Sequence, residues 1–497
     1  MRYPDDAVAM IAAVENHLWI DGKPQASPGN TMEVSDPGLG QAIAAVAIAN
    51  VDEVDRAVTA ARRALSGSWA EITPVARGEI LARAARLLRK RAESIGALET
   101  INSGKPLRDG IGEVHAAAAY LDYYAGAADK VQGETIPQER DVLSIVTREP
   151  IGVSAQVLPS NYPIGTAARG LGPALAAGCT VVAKPADDTP LTTLILARIL
   201  GEAGLPPGAL NVVTGDGATT GEALVRHPGI DQITFTGSLA TGRRLMASAA
   251  SHVAPVTLEL GGKSPLIVLA DADLESAAAA AAKYIFTHAG QVCSASSRLI
   301  VERPVAETLI DMVVARAKRL TVGHGLDNAD LGAIVSKGQL QRIEMAVSTA
   351  REHGADVLTG GHIVEIADAR GGHYYAPTVM RLADLSQPAA REELFGPVLT
   401  VLVADDEADA LTLANDSPYG LVAGVFTRNI DKALRFARGI DAGQIYINDW
   451  HLGGVHAPFG GVKQSGIGRE RGLAALANYL RQKSINFRIS PSNELSS

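Results

Sequence analysis

Cys293 stands in Ala289-Gly290-Gln291-Val292-Cys293-Ser294-Ala295, a run of small residues around the second of only two cysteines in the chain. A thiolate is the strongest nucleophile among ordinary side chains near neutral pH, and glycine lets backbone approach a ligand closely. The competing reading is a buried structural cysteine, since free Cys is among the most buried residue types. That plainer reading is the one taken for Cys179, just before Thr180-Val181-Val182-Ala183. Glu259 lies in Thr257-Leu258-Glu259-Leu260-Gly261-Gly262-Lys263, where apolar neighbours would raise a carboxyl pKa towards that of a general base. A paired structural glutamate is its alternative. Asn161, in Pro159-Ser160-Asn161-Tyr162-Pro163, offers an amide able to donate to a developing oxyanion. Its alternative is a turn asparagine bonding its own backbone.

Two further stretches suit phosphates and sugars. Phe235-Thr236-Gly237-Ser238 follows a strand pattern and opens a helical one. A helix N-terminus presents unpaired N–H groups to pyrophosphate, Gly237 would permit close approach, and Ser238 is also a good helix cap. Lys184 and Asp187, in Ala183-Lys184-Pro185-Ala186-Asp187, sit at the end of a strand, where open α/β sheets bind ligands. There Lys184 can donate to sugar hydroxyls and Asp187 accept from them. A carboxylate in that place repels a 2′-phosphate and favours NAD over NADP. A plain βα turn and a solvated loop are the respective alternatives. The glycine-rich runs at 215–221 and 466–472 lack the strand-to-helix context of the usual dinucleotide fingerprint.

The elements that must hold these residues are legible from periodicity. From 151 the chain alternates short apolar strands (153–158, 180–183, 210–213, 232–235) with helical patterns (163–177, 190–203, 218–226, 238–249), which predicts a parallel α/β sheet. The alternation resumes after about 262, with a strand at 266–269, a helix over 272–286 and a strand at 298–301 flanking Cys293. Before 151 the pattern predicts helices over 51–65, 75–95 and 111–128 and a strand at 17–20. Two ribbons far apart in sequence, 141–148 and 484–489, could pair with each other or with another subunit. The tail from Pro491 is expected to be frayed.

Composition narrows the function classes. At 497 residues two or three domains are expected, and a net charge of −9 gives no basic footprint for nucleic acid. Two cysteines build no disulfide framework, no Cys/His cluster has metal-site spacing, and no apolar run has the length of a signal peptide or a membrane span. A cytoplasmic protein without a metal, a nucleic-acid partner or a membrane is the expectation.

In their order along the chain, these stretches resemble the aldehyde dehydrogenase superfamily over nearly the full length. L-E-L-G-G-K stands at 258–263 and G-Q-x-C at 290–293, with further matches at Glu392–Pro397, Asn415–Leu421 and Pro458–Gly466. The resemblance implies that Cys293 attacks an aldehyde carbon to give a thiohemiacetal, whose oxyanion is held by the Asn161 amide and the Cys293 backbone N–H. Hydride transfer to a nicotinamide then leaves a thioester, hydrolysed by water that Glu259 activates. Lys184 and Asp187 would contact the adenosine ribose, Ser238 with Gly237 the pyrophosphate and Glu393 the nicotinamide ribose, while Phe395 packs beside the nicotinamide. NAD is the implied cofactor, with NADP the alternative. A small-molecule aldehyde is the implied partner, and a homodimer or homotetramer the implied assembly. The implied fold is α/β: a Rossmann-like parallel-sheet coenzyme domain (1–128 and 151–261), an α/β catalytic domain (262–477) and a small antiparallel oligomerisation sheet (129–150 and 478–497).

The chain departs from the family pattern at three places. Ser160 replaces a tryptophan before the asparagine, His288 replaces an asparagine before the cysteine motif, and Asp187 is shorter than the usual glutamate. His288 also admits a Cys–His thiol hydrolase as a rival, although the cofactor-type motifs then go unused. A CoA-acylating dehydrogenase needs no deacylating base, so Glu259 argues against it. A non-catalytic binding protein would not need Cys293, Glu259 and Asn161 together. For the substrate, Arg169 lies on the helix after Asn161, where succinate semialdehyde dehydrogenases place an arginine that binds a distal carboxylate. Their second arginine is here Thr287, and a structural ion pair is the alternative for Arg169. A neutral aliphatic or aromatic aldehyde is therefore the other substrate reading. Ser160, Tyr162, Trp450 and His451 are pocket-wall candidates by position.

Overall fold

The computed structural model describes residues 3–489, so the tail from Pro491 lies outside the described residues. Two large sheets organise the α/β chain. The first has eight strands, in the order Lys23–Ala26, His17–Ile20, Leu210–Val212, Thr180–Lys184, Val153–Val157, Gln232–Thr236, Val256–Glu259 and Gly466–Ile467. Its five central strands run parallel, as the alternating pattern predicts. Their side chains are nearly all buried, because helices cover both faces and leave no polar side to the strands. The second sheet has seven strands around the parallel core of Pro265–Val268, Arg298–Glu302 and Val398–Ala404.

Gly466–Ile467 belongs by sequence to the later part of the chain, yet it pairs antiparallel with Val256–Glu259, setting Gly466 opposite Glu259. The two distant ribbons pair with each other: Leu480–Arg488 lies antiparallel to Val142–Pro150 along its full length, with Glu134–Ile136 on the far edge.

The pattern predicts one helix over 75–95; the structure has two, Pro74–Lys90 and Ala92–Ser103, broken at Arg91. The second helix is buried on almost every side from Ile95 to Ser103, Glu99 and Asn102 included, and so shows no apolar stripe for periodicity to detect. The predicted helix over 218–226 opens instead as a wide turn at Gly217–Gly221 before Glu222–Val225. No described helix is long and apolar enough to cross a membrane.

Candidate active site

The helix Leu274–Phe286 ends just before the cysteine loop, capped at its start by Asp273, whose carboxylate accepts from the Ser276 N–H at 3.1 Å. His288 and Ala289 then take left-handed backbone angles, with φ of 50° and 51°. Gly290 follows at φ 73°, and a Cβ on it would lie 2.0 Å from the Gly396 carbonyl oxygen. Only glycine lets the loop press this closely on residue 396. Gln291 is fully buried and spends its amide on the loop: Nε2 donates to the carbonyls of His288 (3.3 Å) and Ala333 (3.2 Å), while Oε1 accepts from the Val335 N–H (2.8 Å). This is the physical role of the Q in G-Q-x-C, and it fixes the backbone that carries Cys293.

Asn161 is set by the strand Val153–Val157 before it and the helix Pro163–Ala177 after it. Its Nδ2 donates to the Gln291 carbonyl at 2.8 Å, which ties the amide to the cysteine loop and leaves its second N–H to point elsewhere. Its own carbonyl accepts from Lys105 Nζ at 2.9 Å. Lys105 is completely buried, 3.2 Å from Glu99 and in ion-pair contact with Glu113. Glu99 accepts from the Thr192 hydroxyl, and Glu113 from the Gly165 N–H. Sequence reasoning missed Lys105, because its partners come from three places, two helices and the Asn161 loop, and only Gly104-Lys105-Pro106 is visible locally. Lys105→Met would leave Glu99 and Glu113 buried without their cation, at a cost of about 3–5 kcal/mol. The urea unfolding midpoint should fall accordingly, and an unchanged midpoint would contradict this account.

Glu259 ends its strand fully buried, and neither carboxylate oxygen has a hydrogen-bond partner among the described residues. Burial, reinforced by the nearby Glu470, holds its pKa well above the usual carboxylate range. Cys293 is a free cysteine, intermediate in exposure as a residue. Burial of the sulfur pushes the thiol up to about 11; Arg169 opposes this, and Glu393 and Glu259 add to it.

One cavity of 940 Å³ is bordered by Asn161, Glu259 and Cys293 together with Lys184, Asp187, Gly237, Ser238, Glu393 and Phe395. Its volume falls within the roughly 300–1,000 Å³ range of ligand sites. Lys184 Nζ lies 2.7 Å from Asp187 Oδ1, so the two form one polar unit at the strand end. Ser238 caps the helix Leu239–Ala249, its hydroxyl accepting from the Thr241 N–H at 3.3 Å, and the Gly237 N–H donates to the Glu259 carbonyl at 3.0 Å. Glu393 accepts from the Gly262 N–H at 3.2 Å, and burial pushes its carboxyl up to about 7. A Cβ on Gly261 would stand 2.1 Å from a Glu393 oxygen, so the first glycine of L-E-L-G-G-K clears the space that Glu393 occupies. Phe395 is held at φ 51°, with Gln339 donating to its carbonyl and to that of Leu394. Gln339 too was missed, since nothing around it in sequence marks it. A polar unit for a ribose, a helix N-terminus for a pyrophosphate and a carboxylate for a second ribose form a donor set that fits a dinucleotide.

Arg169 and Tyr162 do not border this cavity. The Arg169 guanidinium is in ion-pair contact with Glu470, and Thr236 Oγ1 lies 3.5 Å from it. The Tyr162 ring takes the Lys105 ammonium over its face at 4.7 Å and meets the His288 ring edge-on at 5.5 Å. His288 is buried and makes no hydrogen bond to the Cys293 thiol, and burial drives its pKa well below the ordinary imidazole value. The Cys–His pair of a thiol hydrolase is therefore not formed. Ser160 borders the cavity. Trp450 and His451 are fastened beside Cys293: Trp450 Nε1 donates to the Ser294 carbonyl at 2.9 Å, and His451 Nε2 lies 2.9 Å from the Ser294 hydroxyl. Among the described residues no group of three or more His, Cys, Asp or Glu could hold a metal ion.

The family model described as the aldehyde dehydrogenase family matches residues 24–485. The betaine aldehyde dehydrogenase of Bacillus subtilis is 39% identical over 472 residues, covering 94% of this chain and 96% of its own length. The NAD+ complex of an aldehyde dehydrogenase from Bacillus cereus superposes with a TM-score of 0.96 at 39% identity, covering 98% of this chain and 99% of that one. The betaine aldehyde dehydrogenase of Staphylococcus aureus in complex with NAD+ gives a TM-score of 0.95 at 36% identity, with 99% of each chain covered.

Proposed function

Because this chain belongs to the aldehyde dehydrogenase family, we propose that it oxidises a small-molecule aldehyde to the carboxylic acid, with NAD as cofactor and Cys293 as the nucleophile. The observation that carries this reading is the single cavity shared by Cys293, Glu259, Asn161 and the dinucleotide-type donor set. The Cys293 thiol gives its proton to water, and the thiolate sulfur adds to the aldehyde carbon as the carbonyl π bond passes its electrons to oxygen. Lys105 holds the Asn161 backbone and Gln291 its side-chain amide, and the remaining amide N–H is the donor for the oxygen that becomes negative. When bound, NAD supplies the hydride acceptor. The thioester left on Cys293 is hydrolysed by a water that gives its proton to Glu259, a carboxyl whose burial makes it a stronger base than an exposed one.

Two supports bear on the finer points. Asp187, fixed by Lys184, puts a carboxylate where a 2′-phosphate would come and so supports NAD over NADP. Asp187→Ser should raise the NADP-to-NAD ratio of kcat/KM by about tenfold or more; an unchanged ratio would remove Asp187 from cofactor choice. The three-stranded sheet leaves Leu143 and Phe487 exposed, which supports its use in joining subunits into a homodimer or homotetramer.

For the substrate, Arg169 has its charge answered by Glu470, and we assign it to holding Glu470 beside Glu259 rather than to binding a distal carboxylate. The relatives named betaine aldehyde dehydrogenase make betaine aldehyde one candidate. The deciding experiment follows NADH absorbance with an aldehyde panel, with and without CoA. Turnover to the free acid without CoA supports the reading, and turnover that requires CoA would replace it with an acylating enzyme.

A further inference from the structure

Tyr284, Tyr446, Trp450 and His451 form an aromatic cluster that does not border the 940 Å³ cavity. Through Trp450 and His451 it is fastened to Ser294, the neighbour of Cys293. The loop that carries Trp450 and His451 runs on to Phe459, which exchanges backbone hydrogen bonds of 2.6 and 2.7 Å with Glu470. The Gly472 N–H donates to the Val455 carbonyl at 2.8 Å. Arg471 stands between these two anchors, in the left-handed region at φ 60°. Backbone held in that region by its surroundings is concentrated at ligand-binding and catalytic sites.

The Arg471 guanidinium stacks on the Phe459 ring at 4.4 Å, and that of Arg169 lies 5.8 Å from the same ring. The two arginines differ in one respect. Arg169 is answered by Glu470, whereas Arg471 makes no ion pair or side-chain hydrogen bond among the described residues; the Nε of each is buried. A guanidinium has five donors in a rigid fork; in the partly buried Arg471 the Nε–H is closed off from solvent, and the other donors stay open to receive an anion. The positive charge also acts on Cys293, Glu259, Tyr162, Tyr446 and His451, which places Arg471 near Cys293, Glu259 and the aromatic cluster, with no carboxylate among the described residues in contact with it.

We propose that Arg471 binds an anionic group at the far end of the substrate, so that this enzyme takes aldehydes bearing a carboxylate remote from the carbonyl. The proposal rests on the aldehyde-oxidising reading above and adds the substrate class. A planar carboxylate matches the guanidinium fork, and the aromatic walls suit the apolar body between the two ends. The same charge repels a trimethylammonium group, so betaine aldehyde should be a poor substrate despite the names of the relatives.

The test measures kcat/KM for two matched pairs, succinate semialdehyde with butanal and 4-carboxybenzaldehyde with 4-methylbenzaldehyde, in the wild type, Arg471→Met and Arg471→Lys. The wild type should favour at least one carboxylated member over its neutral match. Arg471→Met should cut that preference about 10- to 100-fold, chiefly through KM, with Arg471→Lys between. A preference unchanged in Arg471→Met overturns the proposal. So does a wild type that oxidises the neutral aldehydes and ignores both carboxylated ones, an outcome that leaves aldehyde oxidation standing. NADH from none of the four defeats both readings. Should Arg471→Met fail to fold, alkylation of Cys293 in the wild type supplies the answer. Succinate should slow iodoacetamide more than succinamide does, and equal protection overturns the proposal.

Discussion

Cys293→Ala is expected to reduce NADH formation by about 10⁴-fold or more, while the fold and NAD binding persist. The second thiol cannot replace the first. Cys179 is completely buried, its Sγ 3.2 Å from the Tyr479 carbonyl, and it does not border the cavity. Alanine fits where the smaller-than-valine cysteine side chain stood and leaves no hydrogen bond broken among the described residues, so unfolding should not confound the result. NAD titration by quenching of tryptophan fluorescence separates lost chemistry from a lost site. Substantial turnover in the variant would remove Cys293 from the mechanism. The wild type also carries a pH signature. Because burial pushes the thiol up to about 11, the thiolate fraction grows throughout the neutral and alkaline range, and acylation should quicken with rising pH.

Glu259→Gln should lose about 10²- to 10⁴-fold in steady-state turnover and still give a burst of NADH close to one per active site. Glutamine keeps the shape but cannot take a proton from water, so the thioester forms and then waits. The sign of the pH effect follows from the shift. A base works only when ionised, and burial and Glu470 raise the carboxyl's pKa, so deacylation in the wild type falls as pH drops through that raised value. In the variant this dependence should flatten. Rapid-mixing absorbance distinguishes the cases: no burst would place Glu259 before hydride transfer, and undiminished steady-state turnover would take it out of the reaction.

The residues that sequence reading brought to one place were those whose motifs encode close approach as well as chemistry. Gly261 is required because Glu393 lies 2.1 Å from where its Cβ would stand, and Gly290 because the Gly396 carbonyl lies 2.0 Å from its own. Such mutual constraints leave short readable strings. Lys105 and Gln339 had no such strings, and the glycine-rich run 466–472 that holds Arg471 does not mark it among its neighbours. Lys105 matters because Glu99, Glu113 and the Asn161 carbonyl converge on it, and Arg471 because no acid does. Arg169 shows the same limit from the other side: its position suggested a ligand, while the partner that holds it, Glu470, lies far along the chain. The helix Ala92–Ser103 escaped for a different reason, since a helix buried all round has no face to betray it. The sheets were legible because alternating apolar strands and helices admit few other arrangements.

The pairing of Gly466–Ile467 with Val256–Glu259 has a consequence for how the protein is made. On a ribosome the strand that ends at Glu259 emerges some two hundred residues before the segment that closes its edge. Until residue 467 appears, that strand offers open backbone N–H and carbonyl groups to any chain nearby. Glu259 is therefore among the last residues to reach its final surroundings, and a nascent chain can have the sheet's parallel core in place while this edge is still open.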